Sequence, residues 1–280
     1  MSNPSPPNSF LQAVVSWDYA TARALLARGA DVNAPWAADD NTFGGATPLM
    51  FALGYFDGWV LDERHPGRDF DREFLELLLR SGANPNAQNA SGQTALHLAP
   101  ASGPQRAFLL EHGANPNIGN EMGLSPLHIA ARYGGTEICE QLCRHGAHLE
   151  QTDKYGFTPL LWAAQEAHPE TVSALLRLGA NLHARLENGQ NVLHLAAGSV
   201  HYERATPTLK RLIEAGARVD ADDGTGFTAL HQAAVRGNAD AVRLLLACGA
   251  DRSIRCAGNR TAFDLARTYH QEEVAGLLRI

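Results

Sequence analysis

The residues of this chain best able to do chemistry are its twelve histidines and four cysteines. Four of the histidines share one context: each lies three residues after a threonine, serine or asparagine and directly after a leucine. They are His97, His128, His194 and His231. A zinc ion needs its ligands within about 2 Å of one point, whereas these histidines recur one structural unit apart. We therefore expect them to form structural hydrogen bonds and predict no metal site and no cofactor.

The cysteines follow no metal-site spacing. Cys139 and Cys143 are four residues apart, on one face of a predicted helix, and two further ligands are missing nearby. We interpret them as small core residues. Cys248 and Cys256 lie near a predicted turn, where nothing obviously lowers a thiol pKa. Four cysteines are too few for a disulfide scaffold, so a reducing cytoplasm is the expected location, with a secreted effector as the open alternative.

The sequence likewise lacks other common catalytic and binding motifs. The stretch around Gly44-Gly45 lacks the Lys-Ser/Thr of a phosphate loop, and neither GxSxG nor HExxH occurs. A net charge of −7 without clustered Lys and Arg argues against nucleic-acid binding. No run of eighteen apolar residues predicts a membrane span. The composition therefore favours a globular chain that is not an enzyme and that binds neither nucleic acid nor membrane.

The elements that carry these residues are internal repeats. Gly-Ala pairs that are predicted to end helices begin at seven positions, and three of the six intervals are 33 residues; the glycines are Gly29, Gly82, Gly113, Gly146, Gly179, Gly216 and Gly249. A second marker, Thr/Ser-Pro/Ala-Leu-His or a variant of it, shows the same three intervals of 33. It begins at Thr47, Thr94, Ser125, Thr158, Asn191, Thr228 and Thr261. Two markers that drift together indicate one repeating structural unit.

Residues 125–151 show how a single unit folds. Ser125 supplies a helix cap and Pro126 occupies the first helical position, where the missing N–H is harmless. A short helix follows, Gly134-Gly135 breaks it, and apolar residues at helical spacing predict a second helix that Gly146 ends. Two short helices cannot bury their apolar faces alone, so such units must stack on copies of themselves.

These motifs closely resemble the ankyrin repeat family. The matching stretches include "SPLHIAA", "TPLLWAA" and "TALHQAA", with the returns "LLARGADVNA" and "LLLRSGANPNA". The resemblance covers residues 9 to 280 and implies an all-α solenoid of about eight helix-turn-helix units joined by β-hairpin-like turns. It also implies that the recurring histidine ties its own repeat together near the turn.

The repeat boundaries follow from the two markers. We expect a disordered lead at 1–8 and a single domain at 9–280. The predicted repeats are 9–34 (a cap), 42–88 with an insertion at 54–73, 89–119, 120–152, 153–185, 186–222, 223–255 and 256–280 (a cap). The 186–222 repeat carries extra residues, and Thr206-Pro207 predicts the start of its second helix.

The resemblance implies that a partner protein contacts the turn tips and the inner helices of the concave face. The tip residues so predicted are Glu121, Met122, Lys154, Tyr155 and Phe157. The inner-helix residues are Arg132, Tyr133, Gln165, Glu166 and Arg236. Tyr133, Tyr155, Phe157 and Arg132 form the leading hypothesis for a binding hot spot. The alternative for Phe157 is packing under its turn, because Phe227 recurs at the same position.

The insertion offers a second surface. Residues 54–74 combine aromatic and charged side chains, among them Tyr55 and Trp59. A partner-binding loop and an extended connection folded onto the first repeats are both open interpretations.

The function predicted from these features is a non-catalytic, monomeric protein-binding module: an adaptor, a scaffold or an inhibitor of the immunity type. An enzyme or enzyme subunit that uses residues 54–74 is the alternative. The resemblance also implies that Asn33 is a candidate for hydroxylation, because Leu25 to Asn33 matches the pattern modified in eukaryotic relatives.

Overall fold

The structure is a computed structural model that describes residues 9–36, 44–53, 71–100 and 104–279. Those residues form sixteen helices, and the only β-structure among them is a few isolated β-bridges. The predicted all-α fold is confirmed. The chain divides into two compact units, 1–126 and 127–280, which are described separately. The prediction of one continuous domain stays a prediction.

The described residues of the first unit form six complete helices. They are α1 (Ser9–Val15), α2 (Tyr19–Ala27), α3 (Pro48–Ala52), α4 (Arg72–Arg80), α5 (Ala95–Leu98) and α6 (Gln105–Glu111). Helices α1, α3 and α5 lie side by side, and each packs against the helix that follows it. Tyr19 stacks on the buried Phe74 with ring centroids 3.9 Å apart, which joins α2 to α4.

The second unit is a double row of helices. They are α7 (Pro126–Arg132), α8 (Thr136–Arg144), α9 (Pro159–Gln165), α10 (Pro169–Arg177), α11 (Val192–Gly198), α12 (Tyr202–Glu214), α13 (Ala229–Arg236), α14 (Ala239–Ala247), α15 (Ala262–Thr268) and α16 (Glu272–Leu278). Helices α9, α11, α13 and α15 pack in one row, and α8, α10, α12, α14 and α16 pack in the other. Each repeat thus buries its apolar face against its neighbours, as stacking requires.

The 153–185 repeat shows the local causes of this fold. The Thr158 hydroxyl accepts a hydrogen bond from the Leu161 N–H at 3.3 Å, and Pro159 occupies the first turn of α9. Small and branched residues fill the inside of α9, where Leu161 and Ala164 are fully buried. After α10, Gly179 has a φ of +100°, a left-handed conformation that suits glycine and ends the helix.

Three of the recurring histidines, His97, His128 and His194, tie their repeat to the next one. The Nδ1 of His97 accepts a hydrogen bond from the Thr94 N–H at 3.0 Å, within its own repeat, and its Nε2 donates to the Leu124 carbonyl at 3.0 Å. His194 likewise donates to the Phe227 carbonyl at 2.8 Å. These histidines form structural hydrogen bonds, as predicted. The bonds reach into the next repeat as well, whereas the family resemblance implies bonds within one repeat only.

The start predicted for the second helix of the 186–222 repeat is wrong. Helix α12 begins at Tyr202, and Pro207 lies inside it. The extra residues continue the apolar pattern, since Ala205 and Thr208 are fully buried together with Leu209. Pro207 costs one backbone hydrogen bond, but burial of the added turn outweighs that cost. The extra residues of the 186–222 repeat therefore lengthen α12, and they bring Tyr202 and Arg204 into contact with neighbouring repeats.

Candidate functional site

The predicted contact residues differ widely in exposure. Tyr133 is 74% exposed and Tyr155 is 63% exposed, which is unusual for large aromatic side chains. Exposed positions also include Glu121, Met122, Lys154 and Arg236. Half-buried positions include Arg132, Phe157, Gln165 and Glu166. Tyr55 and Trp59 lie outside the described residues, so the binding role predicted for them stays a prediction.

Trp162 contacts two of these residues, Arg132 and Phe157, and Arg132 in turn contacts Tyr133. The Arg132 guanidinium lies 4.6 Å from the centroid of the Trp162 ring and 5.8 Å from that of Tyr133. Phe157 stacks on Trp162 with centroids 4.5 Å apart, so it is both a tip residue and a packing residue. The indole N–H of Trp162 donates to the Asp153 carboxylate at 2.9 Å. These contacts fix the planes of the rings and hold the cation over an aromatic face.

Glu166 connects Arg132 to the next repeat. Its Oε1 lies 3.8 Å from the Arg132 Nε, and its Oε2 lies 3.5 Å from the His201 Nε2. The three side chains come from three consecutive repeats, 120–152, 153–185 and 186–222. These polar contacts therefore run from the C-terminal ends of α7 and α9 to the N-terminus of α12.

His168 lies next to Arg132, and both of its ring nitrogens form hydrogen bonds. Its Nε2 donates to the Arg132 carbonyl at 2.9 Å, and its Nδ1 accepts from the Arg204 guanidinium at 3.1 Å. This arrangement requires the neutral ring. Burial lowers the pKa of His168, the Arg204 charge lowers it further, and the hydrogen bond to the Arg132 carbonyl partly opposes them. The ring lies over Gly134, where a Cβ would come within 2.6 Å of the Nδ1.

We call seven residues the Arg132 cluster: Arg132, Tyr133, Trp162, Glu166, His168, His201 and Arg204. Six of them, all except Trp162, line one small cavity. All seven belong to the second unit.

Four residues of the cluster were missed by the sequence analysis: Trp162, His168, His201 and Arg204. Trp162 reads as core because it follows two leucines. His201 and Arg204 lie in the extra residues, whose helical conformation the pattern did not predict. The one available signal was His168 directly before Pro169, at a position where two other repeats have Gly135 and Asn238.

Some predicted residues are not brought into the cluster. Tyr155 is held by a hydrogen bond from its own N–H to the Asp153 carboxylate at 2.8 Å, at the tip of the turn. Arg236 contributes its carbonyl, which accepts from the Tyr202 hydroxyl at 2.9 Å. Glu121 and Met122 belong to the first unit.

The enzymatic alternative depends on residues 54–74. Residues 54–70 lie outside the described part of the chain. Of the remainder, Asp71 caps α4 by accepting from the Phe74 N–H at 2.9 Å, and Phe74 is buried. Across the described ranges no three His, Cys, Asp or Glu side chains group closely enough to hold a metal ion. No helix in those ranges has the length and hydropathy of a membrane span.

The side-chain amide of Asn33 is engaged in the structure. Its Nδ2 donates to the Gly82 carbonyl at 2.9 Å, and its Oδ1 accepts from the Asn84 N–H at 2.8 Å. Asn86 repeats both bonds with Gly113 and Asn115. Asn33 therefore links one turn to the next, and its hydroxylation stays a prediction.

Helix pairs stacked in two rows, each linked to the next through its turns, define a helical repeat protein that presents its helix ends and turn tips as a surface. The chain belongs to the ankyrin repeat family. A family model of ankyrin repeats in three copies matches residues 68–153, 106–186 and 193–279, and a model of the single ankyrin repeat matches residues 44–90. Comparison with curated proteins gives no match. Ankyrin repeats are generally protein–protein interaction modules and are typically non-catalytic.

Proposed function

We propose that this protein is a non-catalytic binding module, acting as an adaptor, a scaffold or an inhibitor, and that the Arg132 cluster with the neighbouring tip residues Tyr155 and Lys154 is its contact surface. The observation that carries the proposal is the ordered exposure of Tyr133 beside Arg132. Interface hot spots are enriched in tyrosine, tryptophan and arginine. Here the cation is held between two rings, so little side-chain entropy is lost on binding.

The setting of the protein is part of the same proposal. No disulfide joins the four cysteines, all of which lie in the described residues, and this fits a reducing compartment such as the cytoplasm. We propose a monomer, because a single copy carries the whole contact surface. Light scattering during gel filtration tests this, and a mass well above the 30.1 kDa of one chain would contradict it.

Partner capture with matched variants tests the binding surface. The protein is immobilised, partners are recovered from cells of its source, and capture is compared between the natural chain, Tyr133→Ala and Tyr155→Ala. Tyr269→Ala is the control, because Tyr269 follows α15 as Tyr133 follows α7 and is 51% exposed. We expect loss of capture in the two test variants only. Undiminished capture by both would remove the proposed surface.

A further inference from the structure

The cavity of the Arg132 cluster is small, and every residue that lines it carries a polar or charged group. Its volume is about 260 Å³, and its walls are Arg132, Tyr133, Glu166, His168, His201 and Arg204. Pockets for drug-sized ligands are usually larger. A space of this size and lining suits one small polar group, such as the end of a side chain of a bound protein.

The charges around the cavity favour an anion. Two guanidinium groups face it, against one carboxylate, in a chain whose net charge is −7. Glu166 lies near Arg132 and His201. The side chain of Arg204 makes its hydrogen bond to the neutral His168, and no carboxylate of the described residues forms an ion pair with it. Arg204 thus retains both its charge and most of its N–H donors for a ligand.

Two helices begin at the wall of the same cavity. His168 is the N-cap of the nine-residue α10, and His201 is the N-cap of the thirteen-residue α12. Neither N-cap side chain hydrogen-bonds to the backbone of its helix. The first N–H groups of a helix carry a partial positive charge that attracts anions. This field adds to that of the two arginines.

We propose that the cavity binds a carboxylate of the partner, so that the chain recognises an acidic segment of another protein. The proposal rests on the binding function proposed above and deepens it. Glu166 in the wall favours a carboxylate over phosphate. A single negative charge balances the charge of Arg204, whereas the second charge of a phosphate would be repelled by Glu166 without a further cation to balance it. The exposed ring of Tyr133 forms the lip, against which the backbone next to the bound side chain packs.

An NMR titration with defined probes tests the proposal. The probes are acetyl-tetraglutamate amide, the matching tetraglutamine peptide and inorganic phosphate, each added to the full ¹⁵N-labelled chain. We expect the glutamate peptide to shift the Nε–H signals of Arg132 and Arg204 and the amides of residues 202–204 in a saturable way. Equal shifts with the glutamine peptide, or tighter binding of phosphate, would overturn the proposal.

Arg204→Gln separates the cavity from the charge of the whole chain. The glutamine amide is too short to reach His168, but Arg204 is only half-buried, so the fold is expected to persist, which the amide spectrum checks. We expect glutamate-peptide affinity to fall about three- to tenfold, the loss of one charged hydrogen bond at a half-exposed site. Arg177→Gln is the control: it removes the same charge at the far end of α10. An equal loss of peptide affinity in the control would show that net charge alone causes the effect, and it would overturn the proposal that the cavity binds the carboxylate.

The two proposals fail separately. Capture of a partner that depends on Tyr133 but is unaffected by Arg204→Gln would overturn the carboxylate cavity and leave the binding surface intact. Saturable glutamate binding at Arg204, together with capture that ignores Tyr133 and Tyr155, would support the cavity and overturn the proposed function of the surface.

Discussion

Replacing Gly134 with alanine tests the geometry beneath the candidate site. Gly134 has a φ of +76°, and a Cβ there would lie 2.6 Å from the Nδ1 of His168 and 2.9 Å from its Cε1. Contacts this short force the ring to move. The imidazole would then leave both of its hydrogen bonds, one to the Arg132 carbonyl and one from Arg204.

The expected cost has two parts. Alanine in the left-handed region costs about 1–2 kcal/mol. Loss of the two His168 hydrogen bonds adds about 0.5–1.5 kcal/mol for each bond. We expect Gly134→Ala to lower the free energy of unfolding by about 2–5 kcal/mol in total. Gly146→Ala is the matched control, because Gly146 has a φ of +83° and nothing lies within 4 Å of its Cβ position. It should cost the strain alone, about 1–2 kcal/mol.

Urea denaturation followed by circular dichroism measures these differences, with the slope of each transition checked for change. A double-mutant cycle isolates the clash: in a His168→Ala background, Gly134→Ala should cost no more than Gly146→Ala does. Equal losses for Gly134→Ala and Gly146→Ala in the natural chain would refute the claim that His168 packs over Gly134. An undiminished cost in the His168→Ala background would refute it independently.

Three further predictions follow from buried groups. Burial lowers the pKa of five imidazoles below their ordinary value of 6.5, so the unfolded chain takes up protons first and the free energy of unfolding falls as the pH drops below about 6.5; they are His97, His128, His168, His194 and His231. Urea midpoints that are equal at pH 7.5 and 5.5 would contradict this. Asn33→Ala removes two hydrogen bonds between repeats and should cost about 1–3 kcal/mol by thermal or urea denaturation, whereas no loss would show that the bonds do not form. A thiol reagent should modify the exposed Cys248 first and the buried Cys139 only on unfolding, with the intermediate Cys143 slowed because burial raises its pKa; mass spectrometry that finds Cys139 labelled early would contradict the packing of α8.

The fold could be predicted from local sequence because each repeat carries its own signals. A cap such as Thr158, the proline after it and a terminal glycine such as Gly179 set the helix ends through backbone physics alone. Small residues at helical spacing then leave only one way to bury the apolar faces. The all-α repeat architecture follows from these local features.

The candidate site could be predicted only in part, because its contacts cross repeats. Arg132 and Tyr133 were found as polar and aromatic residues at a variable helix end. Their partner Trp162 was not, since an aromatic residue between leucines and alanines is equally typical of a core. Arg204 depends on α12 beginning before Pro207, where the proline favoured a helix start. The helix begins earlier because Ala205 and Thr208 are buried, and their burial depends on the packed rows of helices, which the local sequence does not show.

The contacts of Glu166 with Arg132 and His201 contribute little to stability, and this bears on their role. The side chains of Arg132, Glu166 and His201 are 39%, 27% and 40% exposed. Pairs this exposed contribute at most about 1 kcal/mol each, whereas leucines such as Leu161 and Leu175 are fully buried in the same repeat. The stack is therefore held by its core and not by these contacts. What the charges do determine is the orientation of Arg132 over Trp162, and with it the face presented beside Tyr133. Because these three side chains come from three consecutive repeats, the stacking of the repeats positions the proposed contact surface.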